Sequence, residues 1–322
     1  MFVSSAIPVE FPGVAGLTLG YSRLVSQGPV GVVMITYQRR EEALASIARL
    51  VALPERPPVV VVDNGSSDGT AAAIRARFPQ VRVVALGVNL GAVGRNVGVR
   101  MIGTPYVAFC DDDTWWEPGA LRRAADVLDS CHRVAVVNAR IVAEPGARED
   151  PIVAELRGSP VPAPPWLPGP ALGSFLAGAS VVRRSAFEVC GGFSSRLWLG
   201  GEEELLATDL VSAGWEICYR DDLVVHHQAS KLRDATLRRR HGLRNTLWFT
   251  WLRRPLAPAV RRTAFLARTV PHDRVSALGA WDAVRGVPWL VRQRRPRPAA
   301  VEARLSTLDE TQRASAARRY VG

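Results

Sequence analysis

A chain of 322 residues that is 48% hydrophobic and 22% charged has the apolar content of a folded globular protein, which excludes wholesale disorder. Its charge is divided: residues 1–230 hold 20 Arg against 24 Asp and Glu, whereas 231–322 hold 20 Arg and one Lys against six acids, for a net of +11. An acidic body with a basic end points to an anionic partner for that end, whether nucleic acid, a membrane surface or a lipid-linked phosphate.

In chain order, residues 1–29 read as an N-terminal extension without the basic start and long apolar run of a signal peptide. Val30 to Ile35 is an apolar, β-branched strand ending at Thr36-Tyr37. Residues 41–53 follow as an amphipathic helix, and Val59 to Val62 as a second buried strand running into Asp63-Asn-Gly-Ser-Ser-Asp-Gly69. A helix over 70–78, a strand over 81–85, a glycine-containing turn and helix over 89–100, and a strand over 106–110 complete the first half. That last strand ends at Asp111-Asp112-Asp113. The Pro- and Gly-rich stretch 144–170 reads as a long loop. Beyond it lie Ser180 to Val182 as a strand, helices near 185–190 and over 202–213, and two short strand-like pieces within 217–225 ending at His226-His227. Residues 231–322 are expected to be helical, broken at prolines.

Strands alternating with helices imply a mostly parallel α/β sheet flanked by helices, with ligands beyond the carboxyl ends of the strands. Three strand ends carry polar clusters, at Thr36, Asp63 and Asp111. Adjacent carboxylates repel unless a cation neutralises them, so Asp111 to Asp113 is a candidate Mg²⁺ or Mn²⁺ site completed by substrate phosphate and water; an acidic turn capping the next helix is the plain alternative. Asp63 suits a nucleobase or ribose, or merely an Asx turn. Arg95 and Asn96, near a helix start, suit phosphate. Glu202 to Glu204 complement a helix dipole, and one of them can also serve as a general base. One of His226 and His227, at the end of a short strand, is a candidate additional metal ligand. The four cysteines, Cys110, Cys131, Cys190 and Cys218, show no short paired spacing, which argues against a zinc ribbon and for reduced thiols in the cytosol.

Taken together, the residues 32–39, Val-Asp-Asn-Gly-Ser-Ser-Asp-Gly-Thr (62–70), Asn-Leu-Gly-x-x-x-x-Asn (89–96), Asp-Asp-Asp-x-x-Trp (111–116), the 178–193 segment ending Gly-Gly-Phe, Gly-Glu-Glu (201–203) and Val-Val-His-His (224–227) resemble family 2 glycosyltransferases of the GT-A, Rossmann-like fold. The resemblance spans about residues 30–250, in the family's motif order, and is similar to bacterial rhamnosyltransferase-like enzymes of envelope polysaccharide synthesis.

The resemblance implies a catalytic domain over 30–230, with a nucleotide-binding half at about 30–117 and an acceptor half at about 118–230, followed by the basic helical region 231–322. Thr36, Tyr37, Arg39 and Asp63 are then expected to hold the nucleoside. Asn89, Arg95 and Asn96 are expected beside the nucleotide or its phosphates, with Asp111 and Asp112 completing the donor site. Asp113 is the expected direct metal ligand, helped by Asp111 and His226, with Mn²⁺ or Mg²⁺ as cofactor. Glu203 is the expected base and Glu202 its rival, since the position is Glu where the family commonly has Asp. The reaction implied is transfer, with inversion, from a UDP-, dTDP- or GDP-sugar to a hydroxyl of a glycan or lipid-linked acceptor. No apolar run reaches the ~20 residues needed to span a bilayer. The expected place is therefore the cytoplasm, with peripheral contact at the inner membrane face through the run around Trp248, Phe249 and Trp251; a packed helix is the alternative for that run. A nucleic-acid-binding protein using the basic end, or a catalytically inactive sugar-binding protein, is the competing reading of the whole.

Overall fold

The computed structural model describes residues 28–228 and 235–314; the expected extension 1–29 lies outside them except for its last two residues. The nucleotide-side layer is built from β1 (Val30–Thr36), α1 (Arg40–Val51), β2 (Val59–Asp63), α2 (Thr70–Arg77), β3 (Arg82–Ala85), α3 (Gly94–Met101) and β4 (Tyr106–Asp111). These four strands pair in parallel in the order β3-β2-β1-β4. Helices cover both faces, so Val32, Val33, Val60, Val61 and Val62 are wholly buried and the strands read as continuous apolar runs. Close packing of α3 on β1 needs Gly98, where an added Cβ would lie 2.3 Å from a Val33 methyl.

The sheet then changes character. β5 (Thr114–Trp116), α4 (Ala120–Ser130), β6 (Val134–Ala143), β7 (Arg148–Glu149), α5 (Ile152–Arg157), β8 (Ser180–Arg183), α6 (Arg184–Val189), α7 (Glu202–Ser212) and β9 (Glu216–His227) follow in chain order. β8 joins the sheet antiparallel to both β4 and β6, β9 lies parallel to β6, and β5 is antiparallel to β9. The nine strands form one mixed sheet, parallel through its first four strands. The strand expected as two short pieces is a single β9 of 12 residues. Its ladder to β6 jumps from Ala139↔Arg220 to Arg140↔Val224, so Asp221, Asp222 and Leu223 drop out of the pairing. The stretch expected as a loop, 144–170, contains β7 and α5.

The basic region is helical, as α8 (Ala235–Arg253), α9 (Leu256–Thr269), α10 (Arg274–Arg285), α11 (Val287–Gln293) and α12 (Ala299–Ala314). Pro255 immediately precedes α9, and Pro288 sits in the first turn of α11, where a missing N–H costs nothing. These helices share a second hydrophobic core with the body: Leu197 and Leu205 pack with Trp248, Phe249, Leu252, Leu290 and Leu305. The expectation that Trp248, Phe249 and Trp251 meet lipid is therefore corrected. Phe249 is fully buried, the Trp248 indole donates to the Ala283 carbonyl at 3.0 Å, and the Trp251 indole donates to Thr263 at 3.1 Å.

Much of the basic charge is also engaged internally. Arg253 makes a two-pronged bridge to Asp209 at 2.6 and 2.8 Å, and Arg304 a similar one to Glu216 at 2.8 Å, both on the body. Within the helices, buried Arg254 joins Glu302 at 2.7 Å and Asp309, which also meets Arg262. Among the described residues no helix is long and apolar enough to cross a membrane.

Candidate functional site

A crevice of about 740 Å³ opens at the carboxyl ends of β1, β2 and β4 and is closed on its far side by the start of α7. Thr36, Tyr37 and Arg39 line it from the end of β1, Asn89 and Arg95 from the turn into α3, and Asp111 to Asp113 from the turn joining β4 to β5. That turn is closed locally: the Asp111 N–H donates to the Thr114 hydroxyl at 2.8 Å, and Ser46 of α1 donates to the Asp112 carbonyl at 2.9 Å. The three carboxylates are therefore held in a turn and do not continue an extended strand.

Two guanidinium groups face the triplet. Arg39 reaches Asp112 at 3.0 Å and Asp113 at 3.3 Å, and Arg95, only 6% exposed, pairs with Asp111. Burial pushes the Asp112 carboxyl up to about 7, its two acidic neighbours adding to the effect and Arg39 opposing it. Gly178 floors the crevice beside Asp111; a Cβ there would come within 2.6 Å of the carboxylate.

Across the crevice, Gly200 and Gly201 take φ of +85° and +79°, a left-handed reversal that glycine permits, and this aims the first turn of α7 at the triplet. Glu203 is partly exposed, and its Oε1 accepts the Ala177 N–H at 3.3 Å. Glu202 is 4% exposed, with Oε2 lacking a hydrogen-bond partner. Burial raises both carboxyls above the usual glutamate range; Glu203 adds to the shift at Glu202, and Arg95 opposes it at both. Arg95 thus bridges the two acidic sides electrostatically.

Three sequence-level assignments change. His226 turns away from the triplet: it stacks on Trp115 with centroids 5.4 Å apart, and its Nδ1 lies 3.0 Å from a Glu144 oxygen. Successive strand residues point to opposite faces, so its neighbour His227 lines the crevice, with Nε2 3.7 Å from Asp113 Oδ2. Asn96 is absent from the crevice lining because its amide engages the Phe193 backbone in both directions, at 2.8 and 2.9 Å. Asp63, 2% exposed, also lies off the lining, its carboxylate accepting the Ser66 N–H and hydroxyl.

Other residues enter that sequence reasoning had not singled out. Asn64 lines the crevice with a buried, unpartnered Oδ1. Trp198, at φ +61°, donates its indole N–H to the Asn89 carbonyl at 3.1 Å and accepts the Ala92 N–H at 2.8 Å, tying the two walls together. Leu237 and Arg238 at the start of α8 complete the rim. For a divalent cation, Asp113 and His227 offer an oxygen and a nitrogen donor, chemistry that Mn²⁺ accepts. Among the described residues no three His, Cys, Asp or Glu side chains converge on a metal-holding point, so such an ion would need phosphate and water to fill its shell.

Comparison with known proteins bears on this arrangement. The sequence pattern described as Glycosyl transferase family 2 matches residues 31–189. An N-acetylglucosaminyl-diphospho-decaprenol L-rhamnosyltransferase of Mycobacterium tuberculosis, the same in strains CDC 1551 / Oshkosh and ATCC 25618 / H37Rv, is 31% identical over 232 residues, covering 62% of this chain and 76% of that one. Among solved structures, mannosyltransferase PcManGT from Pyrobaculum calidifontis, in complex with GDP-Man and Mn²⁺, superposes with a TM-score of 0.52 at 20% identity over 88% of each chain. GalNAc-T7 with UDP, GalNAc and Mn²⁺ superposes with a TM-score of 0.57 at 12% identity, over 82% of this chain and 56% of that one. These structural likenesses carry the GT-A fold, and the sequence likeness, whose family match takes in the acidic triplet, carries the rest: the chain is a glycosyltransferase and belongs to glycosyl transferase family 2.

Proposed function

We propose that this enzyme transfers a sugar, with inversion and dependence on a divalent metal, from a nucleotide-diphosphate donor to a hydroxyl of a lipid-linked glycan acceptor in cell-envelope polysaccharide synthesis. The observation that carries the reading is Glu203 facing Asp111 to Asp113 across one crevice, with Arg95 between them. Rhamnosyl transfer from a dTDP donor to an N-acetylglucosaminyl-diphospho-polyprenol is the specific instance favoured by the mycobacterial relative.

In this reading Thr36, Tyr37, Arg39 and Asn64 receive the nucleoside, while Asp63 acts one layer back by fixing the Ser66 turn. Arg95 stands by the phosphates. Asp113, with His227 and Asp111 beside it, would hold Mn²⁺ or Mg²⁺, which supplies positive charge to the departing diphosphate. Glu203 takes the proton from the acceptor hydroxyl as that oxygen bonds to the anomeric carbon; the bond from that carbon to the diphosphate oxygen breaks on the opposite side, and the electron pair leaves with the nucleotide. The acceptor enters over the rim formed by Trp198, Leu237 and Arg238, and the enzyme works from the cytoplasm at the inner membrane face.

The test is product analysis with purified full chain, N-acetylglucosaminyl-diphospho-polyprenol, and dTDP-, UDP- or GDP-sugars in turn. One donor is expected to give a product of inverted anomeric configuration, abolished by chelator. Retained configuration, or free sugar and no transfer with every donor, refutes the reading.

A further inference from the structure

We infer that the outward face of α10 and α11 is a docking surface for an anionic lipid bilayer. The sequence run that looks suited to a membrane is not the one the fold exposes. Trp248 and Phe249 are buried, and Arg253 and Arg254 are held by carboxylates. The next two helices do the reverse. On α10, Ser276, Gly279 and Ala283 face inward, and Trp281 and Val284, three residues apart, project from the other side with 60% and 59% of their surface exposed. On α11, Val287 and Val291 lie one turn apart at 46% and 72% exposure, while Leu290 packs into the second core.

Arg285 and Arg292 stand exposed among these apolar side chains, and neither has a carboxylate partner among the described residues. The acids nearest in sequence, Asp273 and Asp282, are already paired with Arg239 and Arg240 of α8. Large exposed apolar groups interleaved with unneutralised arginine suit the headgroup region, where rings and aliphatic chains insert and guanidinium meets lipid phosphate. α10 packs on α8, whose first turn supplies Leu237 and Arg238 to the crevice rim, so this surface belongs to the same helical layer as the mouth of the site. The inference gives a purpose to the lipid-linked acceptor but is measured without donor or acceptor, so the two readings fail separately.

The experiment is co-sedimentation of the full chain with vesicles of phosphatidylcholine alone and of phosphatidylcholine with phosphatidylglycerol, alongside Trp281→Ser and the double variant Arg285→Glu/Arg292→Glu. Binding is expected to the anionic vesicles and not to the neutral ones. It should weaken by about fivefold or more for each charge removed and by about tenfold without the ring, with thermal unfolding unchanged. Equal binding to neutral vesicles, no binding to either, or undiminished binding by the variants overturns the inference. So does a concentration-dependent dimer that the variants abolish while the wild type ignores vesicles, which would assign the face to a second copy.

Discussion

The two glutamates that open α7 differ in surroundings, and under the proposed function that difference separates a base, Glu203, from a buried neighbour, Glu202. Glu203 combines partial exposure with a backbone N–H that orients it, whereas Glu202 is buried with an oxygen unpartnered. Glu203→Gln is expected to lower kcat by roughly 10²–10⁴-fold with donor affinity retained, and Glu202→Gln to leave most activity, as read by steady-state kinetics. Burial also makes Glu202 a liability at high pH. Its raised pKa means that the folded state holds the proton more tightly than the unfolded chain, so stability is present below the ordinary glutamate range and is lost as pH rises through the raised value. Glu202→Gln should therefore gain on the wild type in Tm between about pH 5 and about pH 9 in thermal melts, and a constant difference would contradict the assignment. At this scale the acidic triplet and the glutamates were legible because carboxylates cluster at strand and helix ends. The histidine was not: adjacent residues of a strand face opposite ways, and which of His226 and His227 faces in depends on the β9 bulge, which pattern alone does not locate.

The elements explain how distant pieces meet at the crevice. The loop carrying Trp198 to α7 is pinned by one side chain of α8: buried Asn245 donates to the carbonyls of Leu197, Leu199 and Gly200 at 2.7, 3.0 and 2.5 Å. Asn245→Ala leaves those carbonyls without this donor. It should cost roughly 1–3 kcal/mol in urea unfolding and lower kcat through a mobile α7 start, whereas an unchanged kcat would mean that the loop holds its shape without α8. The parallel layer from β1 to β4 was legible in the sequence, since doubly covered strands give unbroken Val and Ile runs. β6 is as apolar over Val134 to Val137 but has no polar cluster at its end to mark it in the sequence; it bonds to β7, β8 and β9 and joins the two halves of the sheet.

For the whole molecule, the basic end is part of the folded body. Net charge alone points to an anionic partner for that end, but it assigns no internal pairs, and Arg239, Arg240, Arg253, Arg254, Arg262, Arg297 and Arg304 all meet carboxylates. Arg254 is the hub, 1% exposed between Glu302 and Asp309. Truncating it strands buried negative charge, so Arg254→Ala should cost roughly 3–5 kcal/mol in denaturant unfolding. A loss below about 1 kcal/mol would mark these as exposed pairs of little weight and reopen the basic end as a separate arm.

The most direct test of the account is calorimetric titration of UDP-, dTDP- and GDP-sugars into the wild type and Asp113→Ala, with and without Mn²⁺ or Mg²⁺. Because Asp113 and His227 alone cannot fill a metal's shell, ion and donor should bind together. One nucleotide should bind in the presence of the ion, at least about tenfold more weakly without it, and as weakly in the variant. Equal binding with and without the ion and in Asp113→Ala, or no binding of any donor, would contradict a metal-dependent transferase built on this crevice.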